Sequence, residues 1–250
     1  MHPIIVFEDQ DILVVDKPAG MVVNRADTTK NIFTLQEWVE QRTENGKQMT
    51  DSGEQQKAEL SEFEKRGGIV HRLDKETSGL IVVAKNEEAF VKLKNQFKER
   101  DVKKTYIALV HGEVKPSVGE INAPVGRLPW NRTRFGVLAE GREARSRYKV
   151  LSIKYKVWDK DVSEPLSLVE VYPQSGRTHQ IRVHMKHIGH PVFADELYVG
   201  RKQSKKDRKL LSRQFLHASK LTLNHPSTGE SITFESDLPI ELQQFLGTLI

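Results

Sequence analysis

Short apolar runs bounded by turn residues recur from residue 4 to residue 235, and they do not alternate regularly with helices. That pattern limits the fold more than any other feature of the chain. A βαβ period would announce a parallel, doubly wound sheet, and it is missing. So is a G-x-G-x-x-G stretch following a strand, which argues against a dinucleotide or methyl-donor fold. No segment repeats at a fixed period. The runs Ile4–Phe7 and Ile12–Val15 read as two strands joined by a turn at residues 8–11. Lys17-Pro18-Ala19-Gly20 is a second turn. Further strands are expected at 80–85, 103–111, 134–139, 143–153, 166–172, 214–223 and 231–235.

Helices are fewer. Thr34-Leu35-Gln36-Glu37 has the form of a capping box opening a helix to about Thr43. Asn86 caps a second helix, with Glu87 and Glu88 at its positive end and Phe90, Leu93 and Phe97 as a core-facing stripe. A third helix is expected from Thr178 to Ile188, stopping at Gly189, and a short one from Leu238. Residues 44–67 differ in kind. They are rich in Glu, Gln, Lys, Gly and Ser, and read as a long mobile acidic loop with a helical turn around Ala58–Phe63. With this loop included, one domain spanning 1–250 is expected.

Composition excludes several classes. The chain lacks cysteine, so disulfides, thiolate metal sites and thiol nucleophiles are ruled out. Without a signal-peptide pattern or an apolar run of about 18 residues, a cytoplasmic protein is expected. The net charge of +5 is unevenly spread: residues 127–149 hold seven Arg or Lys against Glu140 and Glu143, and residues 201–213 hold seven against Asp207. Such blocks suit phosphate binding, as well as an ordinary solvated surface.

Three stretches carry chemistry. In HRLDKETSGL, residues 71–80, Asp74 sits between Arg72 and Lys75 at the mouth of an apolar strand. It is either a turn carboxylate or a functional acid; neighbouring cations lower a carboxyl pKa by about 1–3 units, which favours a nucleophile or base over a general acid. In SGRTHQIRVH, residues 175–184, a turn runs into a helix start where backbone N–H groups and Arg177 could hold a phosphate. His179, Arg182 and Lys186 share one helix face, and a guanidinium such as Arg182 suits pairing with a carboxylate. In the strand Lys104-Thr105-Tyr106, Tyr106 is either core or a ring for stacking with a phenol for proton transfer. His184, His187 and His190 lack the spacing of a two-histidine zinc helix, so no metal is expected.

Together these blocks resemble the RluA-type RNA pseudouridine synthases. HRLDKETSGL is similar to that family's signature. Lys17-Pro18-Ala19-Gly20 resembles its K-P-x-G turn, and Lys104-Thr105-Tyr106 its K-x-Y strand. Residues 175–184 with Gly189-His190-Pro191, and Leu216-His217-Ala218 with His225-Pro226-Ser227-Thr228-Gly229, fall in the same order. The resemblance implies an α+β fold with a twisted mixed, largely antiparallel sheet flanked by helices and loops. It implies an isomerase acting on structured RNA, rRNA or tRNA, as a monomer without cofactor or membrane partner. Asp74 is then the essential carboxylate, attacking C1′ or removing the C2′ proton. Arg182 pairs with it, and Tyr106 stacks on the uracil and takes the C5 proton. Expected RNA contacts are Arg72, which fills or supports the space left by the flipped base, with Lys75, Arg177, His179, Arg132 and Arg134. The chain departs from the pattern in having Ala194-Asp195 where the family often has Gly-Asp, and it starts directly in the catalytic region, without the S4 domain of many relatives. The alternatives are a catalytically idle RNA-binding factor and a metal-dependent hydrolase using the late histidines.

Overall fold

The computed structural model describes residues 2–26, 32–44, 60–159 and 162–250. Strands β1 (Ile4–Glu8) and β2 (Ile12–Lys17) form a hairpin. Its turn is fixed by Asp9, whose Oδ1 accepts the N–H groups of Asp11 and Ile12, both at 2.8 Å. Strand β3 (Ser78–Ala84) follows the Asp74 loop, and helix α3 (Glu87–Glu99) follows β3, capped by Asn86 as expected, with its Oδ1 accepting from Ala89 N–H at 2.9 Å. Helix α1 (Leu35–Glu44) opens with the reciprocal Thr34–Glu37 bonds its sequence announces.

β2 and β3 read as unbroken apolar runs because both faces are covered. Successive side chains point to opposite faces. Ile12, Val14, Leu80 and Val82 therefore pack with Phe90 and Leu93 of α3. Leu13, Val15, Ile81 and Val83 pack with Leu35 and Val39 of α1.

The other half is built from β4 (Lys103–His111), β5 (Val118–Asn122), the hairpin β6 (Val125–Leu128) and β7 (Asn131–Val137), and the long pair β8 (Arg145–Asp159) and β9 (Val162–Pro173). Helices α4 (Gln180–His187) and α5 (Arg201–Asp207), strands β10 (Leu216–Asn224) and β11 (Ser231–Glu235), and α6 (Ile240–Gly247) complete it. The sheet order is β1-β2-β3-β10-β4-β9-β8-β5, with β11 paired to β10. β3 and β10 run parallel; the other paired strands described are antiparallel. The fold is thus α+β with a mixed, mostly antiparallel sheet. No helix among the described residues is long and apolar enough to cross a membrane.

Two expectations change here. The helical turn expected around residues 58–63 stands at α2 (Glu62–Arg66), which is closed by a Ser61–Glu64 capping box and by Gly67 in the left-handed region. Phe63 packs edge-on against Phe90, with ring centroids 5.8 Å apart. The apolar payload of this turn is one phenylalanine, too little periodicity to fix its bounds in sequence. The remainder of the expected loop, 45–59, lies outside the described residues. β5 and β6 also escape sequence reading, because VGEIN and VGRL are short and carry glycine and charge.

Candidate active site

Asp74 lies in the loop entering β3, and that loop is held from both sides. Thr77 N–H donates to the Asp74 carbonyl at 3.1 Å, closing a turn. Lys75 carbonyl accepts from Gly20 N–H at 2.8 Å and from Lys17 Nζ at 3.2 Å. Lys17 is fully buried and also donates to the carbonyls of Pro18 and Met21. Burial, with Arg213 nearby, pushes its pKa down to about 7. The Lys17–Gly20 turn is therefore a bracket under the Asp74 loop. On the far side Arg208 pairs with Glu76 at 2.6 Å, Arg213 donates to the Glu76 carbonyl and to Ser78 Oγ, and Gln214 Nε2 donates to Thr77 Oγ1. Gly79 takes φ +117° where β3 meets β10; a Cβ there would stand 2.3 Å from the Ala218 oxygen. Only glycine admits so close an approach.

Arg182 reaches Asp74 from α4. Its Nη1 donates to Asp74 Oδ2 at 2.9 Å, while Nε and Nη2 donate to the two oxygens of Asp195 at 2.7 and 2.9 Å. Asp195 is completely buried and also accepts from Leu197 and Tyr198 N–H. Burial opposes the Arg182 charge, but the hydrogen bonds and charge of Asp195 and Asp74 outweigh it, raising the pKa above the usual arginine value. The Tyr198 ring lies under the guanidinium, 5.0 Å from centroid to Cζ. Asp195 was missed as a site residue in sequence. It is delivered by Ala194 at φ +59°, the left-handed conformation that glycine would adopt without strain.

Gln180 organises the turn before α4. Its Oε1 accepts from Ser175 Oγ and Arg177 N–H, and its Nε2 donates to the Arg145 carbonyl and Ser146 Oγ. The helix starts at Gln180 rather than Thr178, because His179 is left-handed, φ +57°. His179 Nδ1 meets the Tyr198 hydroxyl at 2.8 Å, and Nε2 faces Asp74 Oδ1 at 3.9 Å.

A cleft of ≈ 360 Å³ opens over these groups, lined by Asp74, Tyr106, Arg182, Arg72, His179 and Lys104 among others. A second hollow shares Arg72, Asp74, His179 and Arg182 and extends towards Asn24 and Lys75, so Asp74 stands at the junction of the two. Arg66, Arg100 and Arg177 make the first cleft strongly cationic. Burial lowers the Lys104 pKa to about 8, and its ammonium sits 5.8 Å from the Phe97 ring. Tyr106 is half-buried between two core clusters. Burial and the Asp74 charge push its pKa up, so the phenol keeps its proton at neutral pH.

The structure thus gathers Asp74, Tyr106, Arg182, Arg72, Lys75, Arg177 and His179. It leaves Arg132 and Arg134 outside both hollows, on β7 of the separate hairpin. From that strand Phe135 reaches the site, packed edge-on to His179. The 201–213 block is not a free phosphate surface throughout, since Arg208 and Arg213 are committed to the Asp74 loop. The late histidines do not converge. His184 bonds Ser146 and the Ala123 carbonyl, and His190 bonds the His111 carbonyl.

Residues 11–187 match the family model described as RNA pseudouridylate synthase. Among proteins of similar sequence is an uncharacterized RNA pseudouridine synthase of Chloroflexus aurantiacus, 44% identical over 74% of this chain and 54% of that protein. Another is ribosomal large subunit pseudouridine synthase D of Nitrosomonas europaea, 39% identical over 98% of this chain and 64% of that protein. The chain therefore spans between half and two-thirds of the length of these relatives. Among solved structures, human RNA pseudouridylate synthase domain containing 1 superposes with TM-score 0.70 at 27% identity, covering 99% of this chain and 88% of that one.

Proposed function

The chain belongs to the RNA pseudouridylate synthase family, and from that premise we propose that it isomerises uridine to pseudouridine within RNA. The observation that carries this reading is the Asp74 carboxylate, gripped on one oxygen by Arg182 and set at the junction of two hollows in a cation-lined cleft. The cations hold the phosphate backbone, and the target uridine leaves its stack to enter the cleft, at a cost of a few kcal/mol. Arg72, exposed at the rim, supports the vacated space. Asp74 then attacks C1′ or removes the C2′ proton; either course breaks the N1–C1′ bond. The uracil turns over against Tyr106, and C5 joins C1′ as Asp74 either leaves C1′ or returns the proton to C2′. The C5 hydrogen leaves to solvent and N1 gains one, so atoms balance without a redox cofactor. Because the Tyr106 phenol is protonated, its acceptance of the C5 proton is coupled to loss of its own.

One relative is named for the large ribosomal subunit, which makes large-subunit rRNA the first substrate to test and tRNA the second. RNA tritiated at uridine C5 should lose tritium to water on incubation with the protein. Absence of release from rRNA, its fragments and tRNA alike would favour an RNA-binding factor without catalysis.

A further inference from the structure

We propose that His179 and Asp74 together grip the 2′-hydroxyl of the target uridine, making His179 a specificity-determining residue that reads the sugar; this rests on the isomerase reading above. The gap between His179 Nε2 and Asp74 Oδ1 is 3.9 Å, too long for a hydrogen bond. A single oxygen about 2.8 Å from each atom spans it. Asp74 Oδ2 is occupied by Arg182, so Oδ1 is the oxygen left to face a substrate.

The donor and acceptor pattern selects the ligand group. Phe135 N–H donates to the Tyr198 hydroxyl at 3.0 Å, and that hydroxyl lies 2.8 Å from His179 Nδ1. The arrangement that satisfies all three has the Tyr198 O–H donating to Nδ1, which places the imidazole hydrogen on Nε2, towards Asp74. Burial lowers the His179 pKa despite the nearby Asp74, consistent with a neutral ring. The bridging group must therefore accept from Nε2–H and donate to a carboxylate oxygen. A hydroxyl does both; a carbonyl or an ionised phosphate oxygen cannot donate. In either course of the reaction Asp74 works at C1′ or C2′, and the hydroxyl beside those carbons is the 2′-OH. His179 lines both hollows. Its left-handed backbone, at φ +57°, is the kind of strain that persists where a side chain must be aimed.

The test compares single-turnover C5-tritium release from two RNAs differing only in ribose or 2′-deoxyribose at the target uridine. Wild type and His179→Asn are each measured on both; asparagine tolerates the left-handed backbone and is too short to close the gap. Wild type should lose about 10- to 100-fold on the deoxy RNA, whereas the variant, already slow on ribose, should lose no more than about threefold. Equal penalties in both enzymes, or no penalty in wild type, would overturn the proposal. Tyr198→Phe gives a second, independent arm: it frees the imidazole to turn its hydrogen away, so the ribose preference should shrink, and an unchanged preference counts against the proposal. Wild type inactive on the all-ribose RNA would instead overturn the isomerase reading, and this inference with it.

Discussion

Replacing Asp195 by alanine tests how the site is held. Asp195 is fully buried and accepts four hydrogen bonds: two from Arg182, at 2.7 and 2.9 Å, and one each from Leu197 and Tyr198 N–H. Arg182 is itself 6% exposed. Asp195→Ala leaves it a single carboxylate partner, Asp74. Breaking a buried pair by removing one member costs about 3–5 kcal/mol, and here Arg182 loses two of its three carboxylate hydrogen bonds and keeps only the one to Asp74. For a chain of this size that corresponds to a fall in Tm of roughly 6–20 °C. Arg182 would also lose the fork that fixes its plane, so Asp74 would drift, and misplacement by about 1 Å can cost about 10²-fold in rate. Urea unfolding gives the first quantity and single-turnover C5-tritium release the second. Destabilisation below about 1 kcal/mol, with a rate near wild type, would refute the claim that Asp195 anchors the pair.

Three further outcomes follow from the same geometry. Tyr106→Phe keeps the ring and removes the hydroxyl; single-turnover rates should fall by about 10²–10⁴-fold with RNA binding retained, whereas Tyr106→Leu should also lose about 1–3 kcal/mol of binding. A Phe variant within threefold of wild type would make Tyr106 a core residue only. His111 sits between Glu164 and Asp207, at 2.7 and 2.9 Å; burial opposes its charge, but these partners raise its pKa to about 9. A raised pKa stabilises the fold fully below the unfolded value of about 6.5 and is lost as pH climbs through about 9, so the stability advantage of wild type over His111→Asn should shrink by about 3 kcal/mol across that window in urea unfolding. Phe63→Ala should cost about 1–3 kcal/mol by the same measurement, since its half-buried ring packs on Phe90.

The elements whose residues speak for themselves were legible in the sequence. The Thr34 and Asn86 caps, the β1–β2 hairpin and the α3 stripe are local signals, and each stands where it was expected. Asp74 and Arg182 were paired by family resemblance, and they meet at 2.9 Å across 108 residues of chain. What sequence could not convey is which charges are spent internally. Arg208 and Arg213 look like phosphate binders in a basic block, yet they brace the Asp74 loop through Glu76 and Ser78. Asp195 was noticed only for the alanine before it, because its partner lies on a helix 13 residues upstream. Lys17 reads as the first residue of a turn, and its burial depends on carbonyls that converge only in the folded chain. Such pairings are tertiary, and a linear pattern of charge carries no sign of them.

The central claim is that the Asp74 carboxylate does the chemistry while the surrounding cations do the binding. It is tested most directly by measuring RNA affinity and C5-tritium release side by side for wild type and Asp74→Asn. Digestion of the product RNA then identifies the nucleoside formed. The account predicts release and pseudouridine with wild type, neither with the variant, and affinities within about tenfold of each other, since one lost negative charge does not weaken phosphate contacts. Turnover by Asp74→Asn at even a few per cent of wild type, from an uncontaminated preparation, would contradict it.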